Sequence, residues 1–382
     1  MHPMLKPALR RAWRGRGTVQ FGVTPAHAVK VGPMDIATGC FMELLDGTRG
    51  MPLLHEEARA LDLSERHADA LVGRLMNAGL VDDVRAGGAE ADALRSRTDV
   101  LERHRPDLAS LSVVHPEPGG AMRRLAARRS MRVQVRGAGR VGAAVAGVLS
   151  GAGVGRVEVL DGGCAEPGDV APGGLPASAV GERRDMAARQ LVRRSAPGPG
   201  PRAPGAAGVG PAGREPGLSL IVVAPRDGFR GYVPDPGTAE PWISSGTPHL
   251  YAGVIEATGF VGPLVLPGGT ACAGCLHLNR LDRDAQWPRM LAQWQSGRRS
   301  AVQACDLGLA TAVAGLAAAH ALAFLDGELP ASTGARWEAA LPLLDWRSER
   351  IGAHLDCSCG AAGHTEGVRA SGAGAAHDTM AG

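Results

Sequence analysis

The sequence predicts an α/β protein, with a domain built on a mostly parallel sheet from about residue 130 to 360 and a small winged-helix-like α+β domain ahead of it. Three observations carry that expectation. A strand, a glycine-rich turn, a helix and a second strand follow one another between Met131 and Asp161, the βαβ order from which parallel sheets are made. Two close cysteine pairs, Cys272/Cys275 and Cys357/Cys359, brace the same stretch. Before it, short alternating strands give way to helices of amphipathic spacing.

A chain of 382 residues exceeds the usual single-domain size, so a small and a large folded unit are expected. Its formal charge of +3 gives no sequence-wide footprint for nucleic acid or an anionic membrane. The 55 glycines and 27 prolines follow no fixed period, which excludes collagen-like and solenoid readings and places the excess in loops. Met1 to Gly17 is basic, with Lys6, Arg10, Arg11, Arg14 and Arg16, but lacks the apolar run of a secretory signal, so a cytoplasmic protein is expected. Leu307 to Leu325 approaches membrane-span length, yet it is rich in Ala and Gly and reads as a buried helix. Seven cysteines in a chain without an export signal favour metal or free thiols over a disulfide framework.

Along the chain, Thr18 to Val23 and His27 to Val31 predict a hairpin around Thr24-Pro25. Ile36 to Leu45 has helical spacing and stops at Asp46-Gly47, and Ser64 caps a helix carrying Ala68, Leu71, Leu75 and Met76 on one face. With a Leu80-Val81 strand this makes a winged-helix unit over 1–85. From Met34 to Arg85 ten acids face five arginines, so DNA binding, which needs phosphate neutralisation, is not expected. The stretch 86–127 reads as a linker or an added helix between Gly/Ala-rich and Pro/Gly-rich breaks. The second domain, 128–360, opens with a buried strand at Met131–Arg136, a helix at Val141–Leu149 and a strand at Arg156–Asp161. A Pro/Gly-rich insertion at 196–217 and a tail at 361–382 read as disordered, and Leu218 to Ala224 returns as a strand.

Gly137-x-Gly139-x-x-Gly142 ends the first strand and opens the helix, where backbone N–H groups and a helix N-terminus can meet a phosphate. The pattern alone is weak: with glycine near one residue in seven, roughly one match is expected by chance. Gly208-x-Gly210-x-x-Gly213 is such a match, with no strand before it. Asp161, at the end of the next strand, raises the first match, since an acid there accepts from ribose hydroxyls. The plainer alternative is a turn kept glycine-rich for close packing. Cys272-Ala-Gly-Cys275 and Cys357-Ser-Cys359 can supply four thiolates to one tetrahedral, structural zinc; four unrelated buried thiols are the alternative. Cys40, Cys164 and Cys305 stand alone and read as core or surface thiols. Asp227 follows the third strand at the sheet's carboxyl edge, where it either holds Mg²⁺ or belongs to a plain Asp-Gly turn.

These residues resemble the ThiF/MoeB-type adenylyltransferases, relatives of ubiquitin-activating enzymes with a Rossmann-like domain. The resemblance covers about Arg128 to Gly360 and rests on Gly137-Ala-Gly-Arg-Val-Gly142, Asp161, Gly181-Glu-Arg-Arg184, Asp227-Gly-Phe and Pro267-Gly-Gly-Thr-Ala-Cys-Ala-Gly-Cys275 with Cys357 and Cys359. It implies ATP with Mg²⁺, a peptide or small-protein carboxylate as substrate, and a homodimer. It further implies that Gly137, Gly139 and Gly142 cradle phosphate, Asp161 holds ribose, Arg184 replaces a family lysine at the phosphates, and Asp227 holds magnesium. One position departs: where the family reads S-N-L-x-R-Q, this chain reads Gly168-Asp169-Val170-Ala171-Pro172-Gly173, so the asparagine becomes Asp169 and the arginine becomes Pro172. A missing guanidinium beside a transferring phosphate removes several kcal/mol of transition-state stabilisation.

The N-terminal unit resembles PqqD-like peptide-recognition domains, with Leu45-Asp-Gly-Thr-Arg49 as its turn. Together the two units resemble the leader-binding components of azole-forming peptide-modification systems, whose partner is a YcaO-type or other modifying enzyme. Two functions follow from the resemblance: an adenylyltransferase that activates a peptide or carrier-protein carboxylate, or a catalytically degenerate scaffold that delivers a leader peptide to a cyclodehydratase. A nicotinamide-dependent dehydrogenase would use the glycines and Asp161 but leaves the cysteine pairs without a role.

Overall fold

The structure, a computed structural model, describes residues 1–198, 217–296 and 302–364. The expected insertion and tail lie for the most part outside the described residues. The chain divides into two compact units: Met1–Met131 with Ser150–Arg156 and the segment from Ala196, and Arg132–Leu149 with Val157–Ser195 and the described residues from 217 on.

In the first unit, β1 (Pro3–Leu5) is followed by a meander of β2 (Arg11–Gly15), β3 (Thr18–Phe21) and β4 (Val29–Val31). The helices α1 (Ile36–Glu43), α2 (Met51–Ala60) and α3 (Glu65–Asn77) follow, and β5 (Val81–Asp83) returns to pair antiparallel with β1. The meander has the order β2-β3-β4, antiparallel throughout, so the hairpin expected at 18–31 is its second half. Its first half was illegible because the Arg-Ala-Trp-Arg-Gly run of β2 is exposed at every position and carries no alternation. Ser64 caps α3 as expected, its side chain accepting from the His67 N–H. Phe21, Phe41, Leu54, Leu71 and Leu75 meet in one core that joins β3 to the three helices. Residues 86–127 hold four helices, α4 (Ala89–Arg95), α5 (Thr98–Arg103), α6 (Arg105–Val114) and α7 (Gly120–Arg128), around Leu94, Val100 and Leu125. Lys6, one of the basic residues near the start, is buried, and its ammonium donates to the carbonyls of Ser112 at 2.6 Å and Pro116 at 3.1 Å.

The second unit is built on a seven-stranded sheet of order β12-β11-β10-β9-β8-β6-β7. Its first half alternates β6 (Arg132–Arg136), α8 (Arg140–Gly151), β7 (Arg156–Leu160), α9 (Arg184–Ser195) and β8 (Leu220–Val223). Then come α10 (Phe229–Tyr232), α11 (Pro236–Ser244), β9 (His249–Ile255) and β10 (Thr258–Val265). The chain closes with α12 (Ala273–Arg283), α13 (Trp287–Ser296), α14 (Leu307–Leu325), β11 (Ala335–Ala340) and β12 (Arg347–Arg350). The pairs β6–β8 and β8–β9 are parallel, while β9 through β12 pair antiparallel, so the α/β expectation holds where the glycine loop lies. Val133, Val135, Leu220 and Val222 are buried, as the continuous apolar runs of covered parallel strands require. The helix α14 is long and apolar enough to cross a membrane. Here it buries Leu309, Val313, Ala317 and Ala321 and packs on β9 and β10, while Thr311, Ala312 and Gly315 stay exposed. The burial expected for it therefore applies to one face.

The cap on α3 sets the first expectation. Ser64→Ala should lower unfolding free energy by about 1 kcal/mol, against about 2–5 kcal/mol for Leu71→Ala at the core, both read from denaturant melts.

Candidate functional site

The glycine loop sits where β6 meets α8, beside the end of β8. Gly137 has φ +115°, and a Cβ there would lie 2.0 Å from the Ala224 carbonyl oxygen. A Cβ on Gly142 would lie 2.1 Å from the Gly137 carbonyl oxygen. Both glycines are thus demanded by strand-to-helix packing, with or without a ligand. Gly139 is different, since its α-carbon faces the side chain of Arg226, 3.1 Å from where a Cβ would stand.

Asp161, at the end of β7, reaches back to this loop. Its Oδ2 accepts from the Ala138 N–H at 2.6 Å, and its Oδ1 accepts from Arg184 Nε at 2.8 Å. Arg184, first residue of α9, also donates Nη1 to the Cys164 carbonyl at 2.6 Å and Nη2 to the Gly162 carbonyl, and it lies 3.6 Å from Asp169. Asp169 is 2% exposed, low enough that its charge must be paired inside the protein. It accepts from Arg226 Nε at 2.5 Å and from the Glu166 N–H at 2.9 Å. The other arm of Arg226 donates to Glu166 at 2.5 Å. Arg140, inside the loop motif, is held by the carbonyls of Gly168 and Cys305, each at 2.7 Å.

The sequence-predicted residues Asp161 and Arg184 are therefore brought to the loop of Gly137, Gly139 and Gly142, but bonded to each other. Around them stand three arginines, Arg140, Arg184 and Arg226, and three acids, Asp161, Glu166 and Asp169, a formal balance of zero. A triphosphate is stabilised by an excess of positive charge aimed at it. These guanidiniums are already engaged by carboxylates and carbonyls. Pro172, at the place of the family arginine, is exposed in a turn closed by the Gly174 N–H on the Ala171 carbonyl at 3.0 Å. Gly173 has φ +70°, so this is the Pro-Gly turn in which a proline ring stands at the first corner.

Asp227 is exposed after β8, and its carboxylate has no hydrogen-bond or ion-pair partner among the described residues. Its neighbour Gly228, with φ +65°, would place a Cβ 2.0 Å from the Val254 carbonyl oxygen, so the Asp-Gly-Phe turn has its own packing reason. One exposed carboxylate is a thin donor set for Mg²⁺, which takes its remaining ligands from water and phosphate. Arg226 and Glu166 were missed by sequence reasoning. Nothing separates Arg226 from any other loop arginine until the sheet places it over Gly139.

Cys272, Cys275, Cys357 and Cys359 come together at the N-terminus of α12, all four sulfurs within 4.8 Å of one another. Neighbouring sulfurs stand 3.5–4.0 Å apart. A tetrahedral zinc with Zn–S bonds of about 2.3 Å requires sulfur edges of about 3.8 Å, so the cluster fits that ion and leaves no open position. The Cys272–Cys275 contact pushes the Cys272 thiol up and holds Cys275 down, and burial raises Cys357. Gly274 lies inside the knuckle, where a Cβ would come 2.9 Å from Cys357 Sγ. The lone Cys40 and Cys164 are exposed and Cys305 is half-buried.

Residues 114–199 match the ThiF family, a span that takes in the glycine loop, Asp161, Asp169 and Arg184. The comparison with curated proteins found no match. The fold is similar to that of E. coli MccB solved with ATP, at 16% identity over 94% of this chain and 99% of that one, with a TM-score of 0.66. E. coli MccB solved with AMPCPP and MccA is similar at 14% identity, 94% and 100% coverage and a TM-score of 0.66. The heterocyclase TruD is similar at 14% identity and a TM-score of 0.60, over 94% of this chain and 43% of TruD. At such identities the likeness is one of fold, and the expected ThiF-type α/β domain is the fold observed.

Two outcomes test the site. Asp169→Ala leaves Arg226 and Arg184 without their buried partner and should cost about 3–5 kcal/mol of stability, whereas Glu166→Ala, at the exposed end, should cost under about 1 kcal/mol in the same melts. The double variant Cys272→Ala/Cys275→Ala should lose about one zinc per chain and unfold at lower temperature, measured by metal analysis and calorimetry. Unchanged zinc content would refute the four-thiolate site.

Proposed function

We propose that this chain is a peptide-binding scaffold of ThiF-type fold that captures the leader of a ribosomal precursor peptide and presents it to a separate modifying enzyme. One observation carries the reading: among the described residues, the three arginines at the glycine loop are already bonded, Arg184 and Arg226 to Asp161, Glu166 and Asp169 and Arg140 to backbone carbonyls, so none of these guanidiniums is held ready for a phosphate. Opening the loop to ATP would separate Arg184 and Arg226 from buried acids, a cost of several kcal/mol that nucleotide binding must offset.

In this reading residues 1–85 form a PqqD-like recognition domain and 128–360 the ThiF-type domain. The three-stranded sheet of the first unit ends in two unpaired edges, β2 and β4. An extended leader would add to one of them as a further strand, its main chain completing the ladder. The zinc cluster is structural, and a homodimer is the expected assembly.

A second reading, ATP-dependent adenylation of a peptide or carrier carboxylate, is favoured by one feature, the exposed and unpaired carboxylate of Asp227 at the mouth of the loop. The E. coli MccB structures solved with ATP and with AMPCPP and MccA make it the natural competitor. In that case Mg²⁺ would sit on Asp227, and Gly137, Gly139, Gly142, Asp161 and Arg184 would contact the nucleotide after the ion pairs rearranged.

Calorimetric titration with Mg·ATP separates the two. The scaffold reading expects no heat of binding and no pyrophosphate exchange with precursor peptide present, together with saturable binding of a precursor leader peptide. Mg·ATP binding that is lost in Asp161→Ala and in Asp227→Ala would overturn it in favour of adenylation.

A further inference from the structure

Below the cysteine cluster, α12, β11, β12 and Tyr232 enclose a pocket that the loop and the zinc site do not use. It is lined by Arg280 and Arg283 from α12, Arg336 and Glu338 from β11, and Glu349 and Arg350 from β12. Four arginines against two glutamates leave a formal excess of two positive charges.

The two inner guanidiniums are fixed by aromatic faces. Arg336 lies 4.5 Å over the Tyr232 ring, and Arg280 lies between rings, 5.3 Å from Tyr232 and 4.6 Å from Trp287. Such stacking holds a planar cation in place without neutralising it. Arg336 is 4% exposed, and its Nε has no hydrogen-bond partner. Its Nη2 donates to the Tyr232 carbonyl at 2.9 Å, and Glu338, its nearest acid, stands 3.7 Å away. Arg280 has no hydrogen-bonded or ion-paired acceptor among the described residues; burial, against the opposing pull of Glu338 and with a smaller push from the Arg280 charge, holds the Arg336 guanidinium below its ordinary value. At the rim Arg283 pairs loosely with Glu349 at 3.6 Å, and Arg350 is exposed.

A buried cation with an unsatisfied donor, next to a second cation of the same sign, is costly unless an anion completes it. We propose that this pocket is a recognition site for the carboxylate side chains of an acidic peptide segment. The planar Nε–Nη edge of a guanidinium matches a carboxylate in a forked pair. Leu276 and Ile351, also in the lining, offer apolar surface to the stem of a glutamate. The two glutamates of the lining oppose a doubly charged phosphate more than a single carboxylate. β12, an edge strand exposed along its length, contributes Glu349 and Arg350 to the lining, so an extended acidic chain can approach along that edge.

The test uses the full chain with its metal, titrated with a capped tetraglutamate peptide and, in parallel, capped tetraglutamine, following tryptophan fluorescence and calorimetric heat. Tetraglutamate should bind saturably and tetraglutamine should not. Arg280→Gln should weaken tetraglutamate binding by about tenfold or more, and Arg350→Gln, on the exposed strand where folding is not at risk, by a smaller factor, with zinc content unchanged in both. Absence of saturable binding, equal affinity for the two peptides, or affinity unmoved by both substitutions would overturn the proposal. So would displacement of tetraglutamate by an equal concentration of inorganic phosphate, which would assign the pocket to phosphate.

Discussion

A carboxylate as buried as that of Asp169 needs cations and N–H groups around it, and three separate chain segments are held in place by meeting that need. Glu166 and Asp169 come from the turn after β7, Arg184 from the start of α9, and Arg226 from the loop after β8. Asp161 extends the same network to the Ala138 amide of the glycine loop. The loop is therefore shaped by an ion network internal to the fold, with its donors and acceptors matched in advance. Charge balance of this kind is self-sufficient, and the proposed scaffold role rests on it, since a nucleotide pocket keeps donors ready for a ligand.

The far edge of the sheet treats charge in the opposite way. There the four-cysteine cluster gathers α12 and the chain beyond β12 into one place, and the α12 face that follows Cys275 carries Arg280 and Arg283 toward β11 and β12. His354, whose imidazole Nε2 lies 2.9 Å from Asp282, ties the segment between Ile351 and Cys357 to the same helix. Aromatic rings hold Arg336 and Arg280 in place there, Arg336 with only a 3.7 Å pair to Glu338 and Arg280 with no carboxylate partner among the described residues. One end of this unit thus presents a satisfied network and the other an unsatisfied one. Unsatisfied, rigid donors are the kind that recognise ligands.

How much of this was legible in the sequence depends on the range of the interactions involved. The βαβ order at 131–161, the cap at Ser64 and each close cysteine pair are local patterns that correspond to observed elements, while the meeting of the two pairs, 84 to 85 residues apart, was legible only because four thiolates make one zinc site. The Pro172 departure was also visible, because it replaces a residue type at a fixed spacing from Asp161. The partners of Asp169 were not visible, since Arg226 lies 57 residues away and only the parallel pairing of β6 with β8 brings it over Gly139. The same holds for the arginine pocket, whose members span α12 to β12, and for β2, whose exposed Arg-Ala-Trp-Arg-Gly run has no periodicity to read.

The glycines show why the motif alone does not decide between the two proposed functions. Gly137 and Gly142 cannot take a side chain because the Ala224 and Gly137 carbonyls occupy the space, whatever is bound. A chain of this fold must therefore keep them even when nothing binds at the loop, and their presence discriminates poorly between an enzyme and a scaffold. What discriminates is the disposition of charge around them, because an arginine committed to a buried acid is not available to a phosphate. Gly139 marks the difference most plainly: the space beside it, where a phosphate would approach, is taken by the side chain of Arg226 on its way to Asp169.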